Sequence, residues 1–280
     1  LSDSVISGVA SAPGAAPSAP TTNPPAAAEC YDPANEGTVG QPGWTGCEGM
    51  LIVDDATLRG AASGFARPAG GYESSGYGGD ESYAIEEGGV TYTFNDSANN
   101  VFTGQVTDMS YLFQNTSFNG DIGYWDTSNV TVMSAMFFNN ALFDQDIGGW
   151  DVSNVQVMSS MFRNATAFDQ DIGYWDVSNV GNFGSMFRNA TAFNQDIGDW
   201  DVTNATSFYR MFSNADAFDQ DIGGWNVSNV TDMRDAFQNA DNFNQDLSSW
   251  PVSGVTSCGD FDNGASSWTA AKPNFTSCTP

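Results

Sequence analysis

The residues with the clearest chemical potential are six aspartates, Asp121, Asp146, Asp171, Asp196, Asp221 and Asp246, each 25 residues from the next. If the chain stacks one repeat on another, their carboxylates line up about 4.8 Å apart. Neighbouring charges at that distance repel by roughly 0.9 kcal/mol even at the dielectric of water, so the whole ladder costs about 4 kcal/mol unless something answers it. Calcium is one answer, a hard cation that gathers several carboxylate and carbonyl oxygens. Backbone N–H groups in tight turns are another, and composition favours them. All seven glutamates stand at or before Glu87, so the repeats use aspartate alone. A need for bare charge would accept either acid, whereas only the short Asp and Asn side chains reach back to a nearby N–H. Turn formation is the expected role of the ladder, with calcium at these six residues as the alternative.

Little other chemistry is on offer. The 280 residues contain no histidine, which removes Ser-His-Asp and Cys-His relays and His-ligated zinc. A general acid or base would have to be a carboxylate, as in a glycosidase-type pair drawn from residues 30–106. Six equivalent aspartates argue against one unique catalytic site, so the chain is expected not to be an enzyme and to need no cofactor. With 34 acidic against 7 basic residues, a net charge of -27 and a pI near 4.1, the surface repels phosphate backbones and anionic lipid. No nucleic-acid partner is expected. Nor is a membrane span, because no apolar run approaches the 18 to 20 residues that a spanning helix needs. Arg163 and Arg188 occupy the same place in neighbouring repeats and are expected to pair with local aspartates at little gain.

Trp125, Trp150, Trp175, Trp200, Trp225 and Trp250 keep the same 25-residue step, which marks a solenoid or array. Ile or Leu follows it at 122, 147, 172, 197, 222 and 247, and Phe at 118, 143, 168, 193, 218 and 243. A second Phe row runs through 113, 137, 162, 187, 212 and 237, the first step being one residue shorter. One unit has too many apolar positions around its circumference to bury alone, and stacked coils cover them. Within a unit, Ile172–Val177 reads as a short strand. Ser178 then caps a short helix carrying Val180, Phe183, Met186 and Phe187 on one face. The fold expected from the residues is thus an α/β solenoid of about six repeats over 107–256.

The flanks differ in kind. Residues 1–29 are Ala, Pro, Ser and Thr with almost no large apolar side chain, an extended arm with little to bury in its own domain. Such an arm is most easily ordered on a neighbouring copy, which makes it a clue to assembly. Residues 30–106 form a glycine-rich N-terminal cap region, with strands expected at Met50–Val53 and Val90–Phe94. Residues 257–280 form a C-terminal cap. Cys30, Cys47, Cys258 and Cys278 allow three pairings, of which Cys30–Cys47 with Cys258–Cys278 is the simplest, closing a loop at each end. An opening at Leu1 fits a secreted chain whose signal peptide has been removed. Among nine N-x-S/T sequons, Asn95, Asn226 and Asn274 stand outside the repeated asparagine rows and are the glycosylation candidates.

The unit MSSMFRNATAFDQDIGYWDVSNV at 158–180 resembles the BspA-like bacterial surface repeats, about 25 residues long and also found in mycoplasmas and marine protists. The resemblance covers about residues 105–257. It implies a right-handed, leucine-rich-repeat-like coil, extracellular exposure and a role in adhesion or surface structure, with no catalytic residue to carry over. The function expected is a non-catalytic extracellular structural protein, the subunit of a surface filament or appendage formed by self-association into a homopolymer through the arm and the solenoid ends. The alternative is a monomeric adhesin using one face for a protein or glycan ligand. That reading requires a face on which the repeats differ.

Overall fold

The computed structural model describes residues 28–40, 47–48, 50–63, 83–94 and 100–280. The Ala/Pro arm falls outside these, apart from its last two residues. From about residue 106 the chain lays one 25-residue unit upon another. Asp108, Val132, Val157, Asn182, Ser207 and Asp232 each form a single parallel bridge to the next unit, the last of them to Ser257. The bonds around each bridge run both ways: Met133 N–H donates forward to the Val157 carbonyl at 3.0 Å, and Gln156 N–H donates back to the Thr131 carbonyl at 2.9 Å.

The expected strand at Ile172–Val177 and helix from Ser178 do not form. The extended position is the single bridge at Asn182, and tight turns replace the helix. Met186, Arg188 and Ala190 donate three residues back, to Phe183, Ser185 and Phe187. The alternate donors Ser185, Phe187 and Asn189 bond instead to Tyr209, Met211 and Ser213 of the next unit. An α-helix would need each of these N–H groups for its own i−4 carbonyl, so linking the units excludes it. The pattern needs left-handed backbone twice per unit, as at Ser185 and Asn189, both with φ near 59°. Asparagine fills the second of these from Asn115 to Asn239, in keeping with its tolerance of that region. Ser178 is no helix cap, since its own N–H donates to Asp176 Oδ1 at 3.1 Å.

The core is a set of parallel aromatic columns. Phe143, Phe168, Phe193, Phe218 and Phe243 stack at 5.9–6.1 Å with planes within 11°. Phe137, Phe162, Phe187, Phe212 and Phe237 form a second column at 5.3–5.8 Å. The tryptophans are buried beside them, and Trp175 Nε1 donates to the Ile147 carbonyl at 3.1 Å, a bond repeated by Trp150, Trp200, Trp225 and Trp250. Each fully buried ring contributes roughly 1.5–3 kcal/mol. These rings face inward and offer no outer platform for a sugar.

The N-terminal end is closed by a small assembly. Strand β1 (Leu51–Ile52) pairs in parallel with β4 (Val101–Phe102). The hairpin β2 (Ala84–Glu87) and β3 (Val90–Thr93) turns through Gly88 and Gly89, both with positive φ, as a two-residue hairpin turn favours. These are the strands expected near Met50–Val53 and Val90–Phe94. Helix α1 (Asp55–Ser63) completes the first unit's bonding. Asp55 Oδ1 accepts from the N–H of Thr107 at 2.6 Å and of Asp108 at 3.1 Å. Arg59 donates to the carbonyls of Asp108 and Ser110 and pairs with the Asp108 carboxylate at 2.7 Å. In later units the preceding coil supplies these bonds, so Asp55 and Arg59 stand in for a missing neighbour. At the other end Trp268 packs edge-on against Phe243 at 4.7 Å and Phe237 at 5.2 Å.

Candidate functional site

The six aspartates of the ladder are exposed, and each Oδ1 accepts a backbone N–H two residues on, at 2.9–3.0 Å. The donor is glycine in five units and Ser248 in the last. Glycine is required there by the next unit, since a Cβ on Gly173 would lie 2.5 Å from the Asp196 carbonyl oxygen. Among the described residues no three acidic or cysteine side chains converge to hold a metal ion.

A second row serves turns in the same way. Asp126, Asp151, Asp176, Asp201 and Asn226 accept from the N–H of the residue two on, at 3.0–3.2 Å. A third, Asn119, Asp144, Asp169, Asn194, Asp219 and Asn244, accepts from the following unit's backbone at 2.7–3.0 Å. In these two rows Asp and Asn interchange, so the oxygen acceptor is conserved in place and the charge is not. Hydrogen bonds to the charged form depress the pKa of Asp201, through Thr203, and of Asp246, through Ser248. Asp216 is shifted up, first by burial and then by the charge of Asp241.

Two asparagine rows tie unit to unit. Nδ2 of Asn139, Asn164, Asn189, Asn214 and Asn239 donates to Oδ1 of the asparagine one unit back. Asn154, Asn179, Asn204 and Asn229 donate to a preceding carbonyl at 2.7–2.8 Å. A glycan on such a nitrogen would break the row. Asn226 and Asn274 are exposed, while Asn95 lies outside the described residues. Asn226 does belong to a row, the Asx-turn row above, but there only its Oδ1 is engaged.

The units differ over several consecutive residues in the turn carrying residues 159–163, 184–188, 209–213 and 234–238. It holds Arg163, Arg188, Arg210 and Arg234, four of the seven basic residues of the chain. Arg210 pairs with Asp235 at 2.9 Å and Arg234 with Asp232 at 2.7 Å, and both guanidinium groups lie over the Tyr209 ring, at 4.8 and 5.1 Å. Among the described residues Arg163 and Arg188 do not pair with aspartates as expected. Their neighbours in the row are Phe138, each other and Ser213, none of them acidic, and Arg163 lies 4.8 Å over the Phe138 ring. Burial, then the charges of Arg188 and Arg210, holds the Arg163 pKa below its ordinary value. The Nε atoms of Arg163 and Arg188 and the Ser213 hydroxyl are all buried without a hydrogen-bond partner among the described residues. The 25-residue step that puts the two arginines in register also gives Phe138 and Ser213 as their flanks, so the lack of an acidic neighbour within the row could have been read from the sequence.

Cys30 is bonded to Cys47 and Cys258 to Cys278, with Cα atoms 6.2 and 5.9 Å apart, the simplest of the three pairings. Persistent disulfides mark a chain that folds outside the reducing cytosol. Among the described residues no helix is long and apolar enough to cross a membrane. These features define a disulfide-closed repeat protein. The chain belongs to the family described as Mycoplasma protein of unknown function, DUF285, which matches residues 88–189 and again 169–275. No curated protein matches it.

Proposed function

We propose that this chain is a non-catalytic structural component of an extracellular surface, a solenoid of the right-handed, leucine-rich-repeat-like BspA kind that self-associates into a filament or appendage. The observation that carries this reading is the repetition of every polar row. The same oxygen accepts the same N–H from unit to unit, which suits a repeated scaffold and singles out no unit for chemistry. The Ala/Pro arm is the segment suited to reach a neighbouring subunit, and Asp55 and Arg59 already occupy the outward bonds of the first unit. Sedimentation and electron microscopy of the full chain test the reading. Oligomers or filaments that grow with concentration are expected, and removal of residues 1–27 is expected to weaken them. A strict monomer at all concentrations and salt levels overturns it.

A second reading, a ligand-binding module, is favoured by one observation: the arginine-bearing turn is a face on which the units differ.

A further inference from the structure

We propose that the arginine face is a carboxylate-binding surface whose occupant is the aspartate ladder of a second copy of this chain. The inference rests on the self-association reading and names the contact that would carry it. Arg163, Arg188 and Ser213 stand in one row, and each has a buried polar atom without a partner among the described residues. Among the described residues neither arginine has an acidic neighbour within ion-pair reach, although the chain carries 34 acids against 7 bases. Both side chains are half-buried with Nε shut away, which leaves the Nη groups as the part an external anion can meet. A guanidinium is planar and matches a carboxylate through two parallel N–H···O bonds.

The aspartate ladder suits this face by its spacing. Arg163 and Arg188 are one unit apart, and so are Asp146 and Asp171 or Asp171 and Asp196. Both rows are built on the same stack and share its step, so two copies lying side by side can pair both arginines at once. The ladder carboxylates are exposed, and their bonds to the turns use Oδ1, with no partner at Oδ2 among the described residues. Two bodies at -27 repel overall. At physiological salt that repulsion is screened within about 8 Å, so the facing groups decide the contact. The two faces differ, which makes the contact heterologous and able to propagate.

Two variants that preserve the fold test this. R163Q/R188Q removes the guanidinium groups, and D146N/D171N/D196N/D221N removes ladder charges while keeping the turn acceptors. Each, at the melting temperature of the parent, is expected to associate at least ~10-fold more weakly by analytical ultracentrifugation. Mixed in equal amounts, they are expected to form a 1:1 dimer and stop, because one supplies only the ladder and the other only the arginines. Parent-like association by either variant, or no dimer in the mixture, overturns the inference and leaves self-association standing. A parent chain that is monomeric throughout overturns both.

Discussion

At the scale of single residues, the acidity of this chain is a matter of acceptors more than of charge. Asp171 and its equivalents hold a backbone N–H at 3.0 Å, and in the neighbouring rows asparagine takes over the same bond. D171N keeps the oxygen and is expected to change stability by less than ~0.5 kcal/mol, whereas D171A leaves the Gly173 N–H to water and costs about 1 kcal/mol. G173A should cost more, about 1–3 kcal/mol, because the new methyl group meets the Asp196 carbonyl oxygen with no flexible side chain to yield. Chemical denaturation of the three variants checks the order. A D171N as damaging as D171A would mean that the charge itself, and so a cation, matters at this ladder.

At the scale of the unit, one length change shows which part of the coil is free. The first unit has two residues between Asn115 and Phe118, where later units have three, as between Asn164 and Phe168. That corner is exposed at Ser117 and Thr166 and carries no bridge to the next unit. Deleting Thr166 is therefore expected to lower the melting temperature by only a few degrees, about 1 kcal/mol. Deleting Gly184 would shift every alternate N–H between Phe183 and Asn189 out of register with the next unit, and calorimetry should show loss of the cooperative transition. The period, the buried aromatic rows and the simplest disulfide pairing were all legible in the sequence, because each follows from residue type at a fixed step. The path of the chain within a unit was not. Val180, Phe183, Met186 and Phe187 have helical spacing, yet a coil with inter-unit bonds at every second N–H brings the same positions inward. Pattern reports which residues are buried, and only the destination of the backbone donors separates helix from turn. The arginine row was legible in part, since Phe138 stands one 25-residue step before Arg163; that no aspartate from another row reaches the two arginines depended on the turn.

At the scale of the whole molecule, the net charge of -27 and the turn aspartates respond to acid in opposite directions. Lowering the pH from 7 toward the isoelectric point near 4.1 removes mutual repulsion, which favours the compact state and reduces solubility. The individual turns behave otherwise. Asp201, Asp232 and Asp246 have depressed pKa values, held down first by side-chain hydrogen bonds from Thr203, Arg234 and Ser248 respectively. A group whose folded pKa lies below its unfolded value, about 3.9 for aspartate, contributes stability above that value and loses it as the pH falls through the folded one. Asp216, with a raised pKa, gives a small change of the opposite sign, favouring the folded state as it takes up its proton. Thermal unfolding followed across pH in dilute solution should therefore show a melting temperature that is level or slightly rising from pH 7 to 5 and falls below about pH 4. Light scattering should peak near pH 4.1 and recede on either side. A melting temperature that falls steadily from pH 7 would mean that the carboxylates are held by a bound cation, which protons displace well before the turn hydrogen bonds are lost.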